Sequence, residues 1–140
     1  MKKAIIASML AITTAAFAGQ FSVSGVYDYT AKEQGVRVGT SVAGLSLTAT
    51  NIESHYNRFG VGKDFQLAKI GPVALSAGAT ISYQDTLNGV NGYGLSVGAK
   101  ATLPITKQID LVASAERFAG QERVSQFNGN TGSIGLKVKF

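Results

Sequence analysis

The chain has 140 residues, which is the size of a single domain. It contains no cysteine and one histidine, so a disulfide framework, a thiolate metal site and any mechanism that needs two histidines are excluded. Lys and Arg number 13 against 8 Asp and Glu, and charged residues make up 15% of the chain. This mild positive excess gives no reason to expect a nucleic-acid partner, and we predict no cofactor and no metal.

The first 18 residues have the three parts of a secretory signal peptide. Residues 1–3 carry two lysines, Ala4–Ala15 is apolar, and Ala16-Phe17-Ala18 is a small-x-small cleavage site. The apolar stretch is shorter than the roughly 20 residues that a membrane-spanning helix needs, which disfavours a retained helix. We therefore predict that residues 1–18 are a cleaved signal peptide and that residues 19–140 form the mature domain.

Apolar and polar residues alternate along nearly all of residues 19–140, which indicates β-strands with two different faces. Turn residues divide this pattern into eight segments. The predicted strands are Gln20–Tyr29, Val36–Val42, Leu45–Thr50, Arg58–Leu67, Val73–Tyr83, Gly92–Leu103, Ile109–Phe118 and Gly132–Phe140. Short connections such as Ala43-Gly44 alternate with longer polar ones, an asymmetry typical of bacterial outer-membrane barrels.

The two faces of these strands differ in residue size as well as in polarity. One face is built almost throughout from Phe, Tyr, Leu, Ile, Val and Ala, and the other from Ser, Gly and Thr with a few charges. Because eight strands enclose a narrow interior, the small polar residues suit the inside and the bulky apolar ones suit lipid. We therefore predict an all-β, eight-stranded antiparallel up-and-down transmembrane β-barrel. A soluble barrel or sandwich with the opposite facing remains the alternative.

Charged residues of both signs lie on the polar face. In a water-poor interior such charges must be compensated, so we predict a structural network of lumenal ion pairs. Its members are Asp28, Arg37, Asp64, Lys100, Asp110, Glu116 and Lys137, with Lys139 on the same face. A catalytic carboxylate pair or an ion path is the alternative interpretation.

Aromatic residues are predicted to form a girdle at each membrane interface. The turn-end girdle contains Phe21, Phe65 and Phe140, and the loop-end girdle contains Tyr27, Tyr29, Phe59, Tyr83, Tyr93 and Phe118. Lys63 is an exception on the apolar face. We expect its ammonium either to extend toward lipid headgroups or to be turned inward by a local bulge.

The C-terminal segment resembles the assembly signal of bacterial outer-membrane proteins, in which a terminal Phe follows apolar residues at alternate positions. Here these residues are Ile134, Leu136, Val138 and Phe140. With the signal peptide and the eight strands, the chain is similar to small eight-stranded barrels of the OmpX, OmpA-transmembrane and NspA type. The resemblance implies a location in the bacterial outer membrane and recognition by the barrel-insertion machinery during assembly.

Some eight-stranded barrels, the lipid A deacylases, are enzymes that resemble a His/Ser/Glu hydrolase. The single histidine lies in Glu53-Ser54-His55, where the serine is adjacent to it. In an extended segment two adjacent side chains point apart, which disfavours a lipid A hydrolase. We therefore predict that the protein is not an enzyme.

These observations predict a monomeric outer-membrane barrel with a structural or surface-interaction role. Its partners would be outer-membrane lipid and lipopolysaccharide, whose phosphates suit the guanidinium and ammonium groups at the loop end. The residues predicted to make this contact are Lys32, Arg58, Arg117 and Arg123. Ordinary solvated loop charges are the alternative for these four, and a small passive pore, with space left by lumenal glycines, is the alternative function.

Overall fold

The structure is a computed structural model that describes residues 20–53, 55–86, 89, 91–120 and 128–139. It contains eight β-strands, which form a single closed barrel in sequence order. They are β1 (Gln20–Asp28), β2 (Glu33–Val42), β3 (Leu45–Ile52), β4 (Tyr56–Ile70), β5 (Val73–Thr86), β6 (Asn91–Pro104), β7 (Ile109–Gly120) and β8 (Gly129–Lys139). Within the described part of the chain, no helix is long and apolar enough to cross a membrane.

Every strand pairs antiparallel with the next, and β1 pairs with β8 to close the barrel. Closure leaves the sheet with no open edge along the paired region. The predicted all-β, eight-stranded antiparallel fold is confirmed. The predicted signal peptide, residues 1–18, lies outside the described residues.

The strands present their apolar face outward, as predicted. On the outer wall Ile81 is 66% exposed and Val97 52% exposed, whereas their inward-facing neighbours Ser82 and Ser96 are only 2% and 3% exposed. The barrel therefore has a polar interior and an apolar surface, the reverse of a water-soluble β-protein.

The strands are inclined to the barrel axis. A row of paired residues starts at Ser46, the second residue of β3, which pairs with Gly62 of β4. The row continues through Thr80 of β5 and Ser96 of β6. It reaches Phe118 near the opposite end of its strand, β7, so the row crosses the barrel from the turn end to the loop end. This stagger is the geometry that closes a β-barrel. Its consequence is that side chains distant in the strand order can meet inside.

The strands extend further toward the loop end than predicted. β2 begins at Glu33 instead of Val36, and the β3–β4 pairing continues to Ile52 and Tyr56, which lie in a predicted loop. Asn51 and Asn57 are polar residues typical of a loop, but here they connect the two strands. Asn51 Nδ2 on β3 donates a hydrogen bond to Asn57 Oδ1 on β4 at 2.8 Å. The loop-end connections are correspondingly shorter.

The turn-end connections follow the sequence signals. The predicted β2–β3 turn is confirmed, with Ala43 and Gly44 both at positive φ, 53° and 80°, as a tight two-residue hairpin requires. β4 and β5 continue to a two-residue connection, and the register shift in this hairpin lies between Gln66 and Ala68. Lys63 is therefore not turned inward; it is exposed, with Nζ 5.5 Å from the centroid of the Phe65 ring.

Candidate functional site

In the half of the lumen nearer the loop end, an ion pair joins β2 and β7, which are separated in the sheet by β1 and β8. Arg37 Nη2 on β2 donates to Glu116 Oε1 on β7, and the two side chains are 14% and 20% exposed. Arg37 Nε also donates to Thr50 Oγ1 at 2.8 Å, and Thr131 Oγ1 donates to Glu116 Oε1 at 3.1 Å. Each charge therefore has a second partner, which offsets part of the cost of removing both from water.

A second pair lies lower in the lumen, where Lys100 Nζ contacts Asp64 Oδ2 at 2.8 Å. These residues belong to β6 and β4, so the contact spans the intervening strand β5. Gly78 of β5 leaves the necessary space, because a Cβ there would overlap Asp64 Oδ1. In the same way, a Cβ on Gly98 would lie only 2.8 Å from the Cβ of Glu116.

The third group of charges lies at the turn end. Asp110 is buried and has Lys139 Nζ at 3.1 Å and Lys137 Nζ at 3.6 Å. Lys139 thus joins the predicted network. The structure brings six of the seven predicted members, all except Asp28, into three ion-paired groups.

Asp28 has no cation partner among the described residues, although it is buried as predicted. Its Oδ1 accepts hydrogen bonds from the backbone N–H groups of Thr30 and Ala31, at 2.9 and 3.0 Å. Its Oδ2 accepts a 2.6 Å hydrogen bond from the hydroxyl of Tyr56. Asp28 therefore fixes the β1–β2 turn to a side chain in the lumen.

The loop end of the lumen is filled by large side chains, which we call the loop-end plug. Its members are Val26, Ile52, Tyr56, Arg58, Gln84 and Phe118, all at most 4% exposed. Val26, Ile52 and Tyr56 pack together as an apolar cluster. The plug closes the barrel interior at this end.

Arg58 lies at the centre of the loop-end plug, which corrects its predicted position on the rim. Its Nε and Nη2 both donate to Gln84 Oε1, at 2.9 and 2.8 Å. The guanidinium carbon lies 3.8 Å from the Phe118 ring centroid and 4.6 Å from the Tyr56 ring centroid, distances typical of cation–π contacts. Arg58 faces inward because it lies two residues from Gly60, on the same face of β4.

Phe118 is also corrected, from the loop-end girdle to the interior. It is 1% exposed, and its ring occupies space beside Gly94 that a Cβ on this glycine would fill. Alternation along β7 carries Phe118 to the same face as Glu116. Of the other predicted girdle residues, Tyr27, Tyr29 and Tyr93 are exposed on the outer wall.

Below the loop-end plug lies a cavity of about 380 Å³. It extends from Gly44 in the β2–β3 turn to Arg58, and its lining is rich in serine and threonine hydroxyls. The predicted space beside the lumenal glycines is therefore present only in part, because neighbouring side chains fill much of it. Among the described residues, the loop-end plug bounds the cavity at the loop end, which we call its blind end.

The two other described cations of the predicted lipopolysaccharide contact, Lys32 and Arg117, are exposed near the loop end. Lys32 lies in the β1–β2 turn with a φ of 57°, and Arg117 lies on the outer wall opposite Val97 and Asn130. Neither makes an ion pair with another described residue. Arg123 lies outside the described residues.

The residues considered for a hydrolase do not form a catalytic arrangement in the described part of the chain. His55 Nδ1 lies 3.0 Å from the backbone carbonyl oxygen of Glu53, in an exposed position. Ser54 lies outside the described residues. The residues that the structure describes contain no group of His, Asp and Glu side chains that could hold a metal ion.

In the predicted assembly signal, Ile134 and Leu136 are exposed on the outer wall, at 60% and 46%. Val138 pairs with Phe21 of β1 and Ile109 of β7. Phe140 lies outside the described residues.

The family described as the YfaZ precursor matches residues 1–135. The chain belongs to this family. No curated protein matches this YfaZ-family chain.

The barrel is similar in fold to solved β-barrels. The N-terminal β-barrel domain of Pseudomonas aeruginosa OprF is 16% identical, with a TM-score of 0.64 over 87% of this chain and 96% of that one. A de novo designed transmembrane β-barrel is 13% identical, with a TM-score of 0.61 over 87% and 95%. The neisserial surface protein NspA gives a TM-score of 0.47 at 18% identity, over 87% and 94%. The likeness to the OprF domain and to the designed barrel shows that the YfaZ-family chain has an outer-membrane-type eight-stranded barrel fold.

Sequence reasoning missed the loop-end plug of this YfaZ-family barrel. The sequence pattern places Tyr56 in a loop, Arg58 in the lipopolysaccharide contact and Phe118 in the loop-end girdle. The signal that could have found them is the alternation itself, since Tyr56 and Arg58 continue the inward face of Gly60, and Phe118 that of Glu116. Gln84 likewise continues the face of Ser82.

Proposed function

We propose that this YfaZ-family chain is an exported protein of the bacterial outer membrane, with a structural or surface-interaction role and no catalysis. The observation that carries the proposal is the continuous apolar outer wall. Large apolar side chains such as Val61, Leu95 and Ile134 are about half exposed around a closed barrel. A wall of this extent is stable against lipid and would aggregate in water.

The loop-end plug supports a barrel that does not conduct. Ions that enter the cavity from the turn end would meet Arg58 between two aromatic rings. The Arg37–Glu116 and Lys100–Asp64 ion pairs tie strands together that are not neighbours in the sheet. The interior thus suits a role in stabilising the barrel, and an open pore is the less favoured function.

Fractionation and electrophoresis test the location and the fold together. We expect the protein in the outer-membrane fraction, with a mobility that changes on boiling in detergent, because a folded barrel resists unfolding in the unheated sample. Recovery as a soluble monomer without detergent would contradict the proposal.

We further propose that Lys32 and Arg117 contact lipopolysaccharide phosphates. Both are exposed at the loop end and carry charges that no described carboxylate neutralises. Arg58 does not contribute, because it is buried in the loop-end plug. The barrel-insertion machinery remains the expected partner during assembly, and we expect a monomer.

Charge removal at each end of the barrel tests this contact. The double variant Lys32→Ser/Arg117→Ser should carry less lipopolysaccharide through purification, and its residual binding should depend less on salt. Lys69→Ser/Lys107→Ser is the matched control, since it removes two exposed lysines at the turn end. Equal lipopolysaccharide content in the wild type and both variants would refute the contact.

A further inference from the structure

One charged group that borders the lumenal cavity is not in a salt bridge. Six charged side chains line this cavity: Arg37, Arg58, Asp64, Lys100, Glu116 and Lys137. Five of them are in the ion pairs described above, Lys137 with Asp110 outside the lining. Arg58 alone has no carboxylate at salt-bridge distance among the described residues. The lining therefore carries one positive charge that its own carboxylates do not pair. The carboxylate of Asp28 lies outside the lining and accepts a hydrogen bond from Tyr56, whose ring contacts the guanidinium.

The guanidinium of Arg58 also has unused hydrogen-bonding capacity. It is 4% exposed, and its Nε and Nη2 share a single acceptor, Gln84 Oε1. Its Nη1 has no hydrogen-bond partner within the described chain. A buried donor left without an acceptor is costly, and here the group that lacks one is charged.

Two hydroxyl groups lie on the inward faces of the adjoining strands. Ser82 pairs with Gly60, two residues from Arg58, and Ser96 lies on the next strand, opposite Thr80. Both serines line the cavity, and neither side chain forms a hydrogen bond with the part of the chain that the structure describes. The blind end thus presents a guanidinium and two free hydroxyls from three consecutive strands.

We propose that the blind end of the cavity binds a small oxyanion, a phosphate or carboxylate group, through Arg58, Ser82 and Ser96. A guanidinium offers paired donors that match the two oxygens of such a group, and serine hydroxyls supply further donors. The anion enters from the turn end, because the cavity extends to Gly44 there and the loop-end plug closes the other end. The site is independent of the proposed lipopolysaccharide contact, which lies on the outside.

Titration of the full mature chain in detergent micelles with inorganic phosphate tests the site. Ionic strength is held constant with chloride, and NMR follows the Nε–H signal of Arg58 and the backbone amides of Ser82 and Ser96. We expect saturable shifts at these three residues and no saturable shift at the backbone amide of the exposed Lys69. Acetate, titrated in the same way, distinguishes a general oxyanion site from one that prefers phosphate. The absence of a saturable shift with either anion would overturn the proposal.

Two variants locate the binding group. Arg58→Lys keeps the charge but loses the paired donors, and Ser82→Ala/Ser96→Ala keeps Arg58 but loses both hydroxyls. Each should weaken binding about tenfold, the effect of losing hydrogen bonds to a charged group. Ser41→Ala/Ser76→Ala is the matched control, because it removes two cavity hydroxyls nearer the turn end, and it should bind as the wild type does.

The serine variant keeps the test decisive if Arg58→Lys fails to fold, which the heat-dependent mobility would show. If the folded serine variant binds phosphate with the affinity of the wild type, the two hydroxyls do not contribute to binding, and the assigned site is wrong. Equal weakening by the control pair would mean that the anion is held by the whole lumen, and it would also contradict the assignment.

Discussion

The Arg37 guanidinium on β2 reaches across the lumen to the carboxylate of Glu116 on β7. Both side chains are mostly buried, so neither charge could be left alone without a large cost. Because the two strands are not neighbours in the sheet, this contact holds together walls that share no backbone hydrogen bond.

Removal of one partner of this pair should destabilise the barrel. For Glu116→Gln we expect the free energy of unfolding to fall by about 3 kcal/mol, because Arg37 keeps its charge in a poorly hydrated lumen. Urea titration of the protein folded into lipid vesicles measures the change. The double variant Arg37→Met/Glu116→Gln should recover part of the loss, and a double variant less stable than Glu116→Gln would contradict this account.

Gly94 should be sensitive to the addition of one methyl group. Gly94→Ala places a Cβ against the ring of Phe118, and we expect a loss of about 1–3 kcal/mol from overpacking. Gly25→Ala is the control, since the nearest atom to its Cβ would be 3.9 Å away. The same vesicle unfolding assay compares the two, and equal stabilities would show that Phe118 is not confined by Gly94.

The facing of the strands can be tested with single arginines. Ile81→Arg places a charge on the outer wall between the apolar residues Val61 and Leu95, and it should cost about 2–4 kcal/mol. Thr102→Arg on β6 points into the cavity near its turn end and should cost much less. Folding yields in lipid, determined from the unheated mobility, provide the comparison. Equal yields would be incompatible with an inward polar face.

The loop-end plug should determine whether the barrel conducts. In a planar bilayer, we expect the wild type to show no stable open conductance level. The double variant Tyr56→Ala/Phe118→Ala should show stepwise increases in ion conductance, because its cavity would extend past Arg58. Phe65→Ala, which shortens an exposed aromatic residue on the outer wall, is the control. Conductance from the wild type, or none from a folded plug variant, would contradict the assigned role of the plug.

The hydrogen bond between Tyr56 and Asp28 should contribute measurably to stability. Tyr56→Phe keeps the ring in the plug but leaves Asp28 Oδ2 without its 2.6 Å donor. We expect a loss of about 1–3 kcal/mol, the range for an unsatisfied buried acceptor. Tyr83→Phe on the outer wall is the control. If both variants unfold at the same urea concentration as the wild type, the hydroxyl of Tyr56 has no structural role.

The sequence alone determined the number of strands, the turn at Ala43-Gly44 and the two faces of the barrel. These features are local, because strand periodicity places alternate residues on opposite faces regardless of what lies across the barrel. Residue size then decided which face points inward. The same local pattern contained the positions of Arg58 and Phe118, but polar loop signals and proximity to the predicted strand ends obscured it.

The partners inside the lumen were decided only by the tertiary structure. Which strands face each other depends on the stagger around the closed barrel, a quantity that no single strand encodes. Arg37 therefore meets Glu116 of β7, and Asp28 meets a tyrosine in place of a cation. Arg58 lies beside Gln84, its pairing partner on β5, and Tyr56, two residues earlier on β4. The stagger adds the ring of Phe118 from β7, and it brings no carboxylate of the described residues to salt-bridge distance.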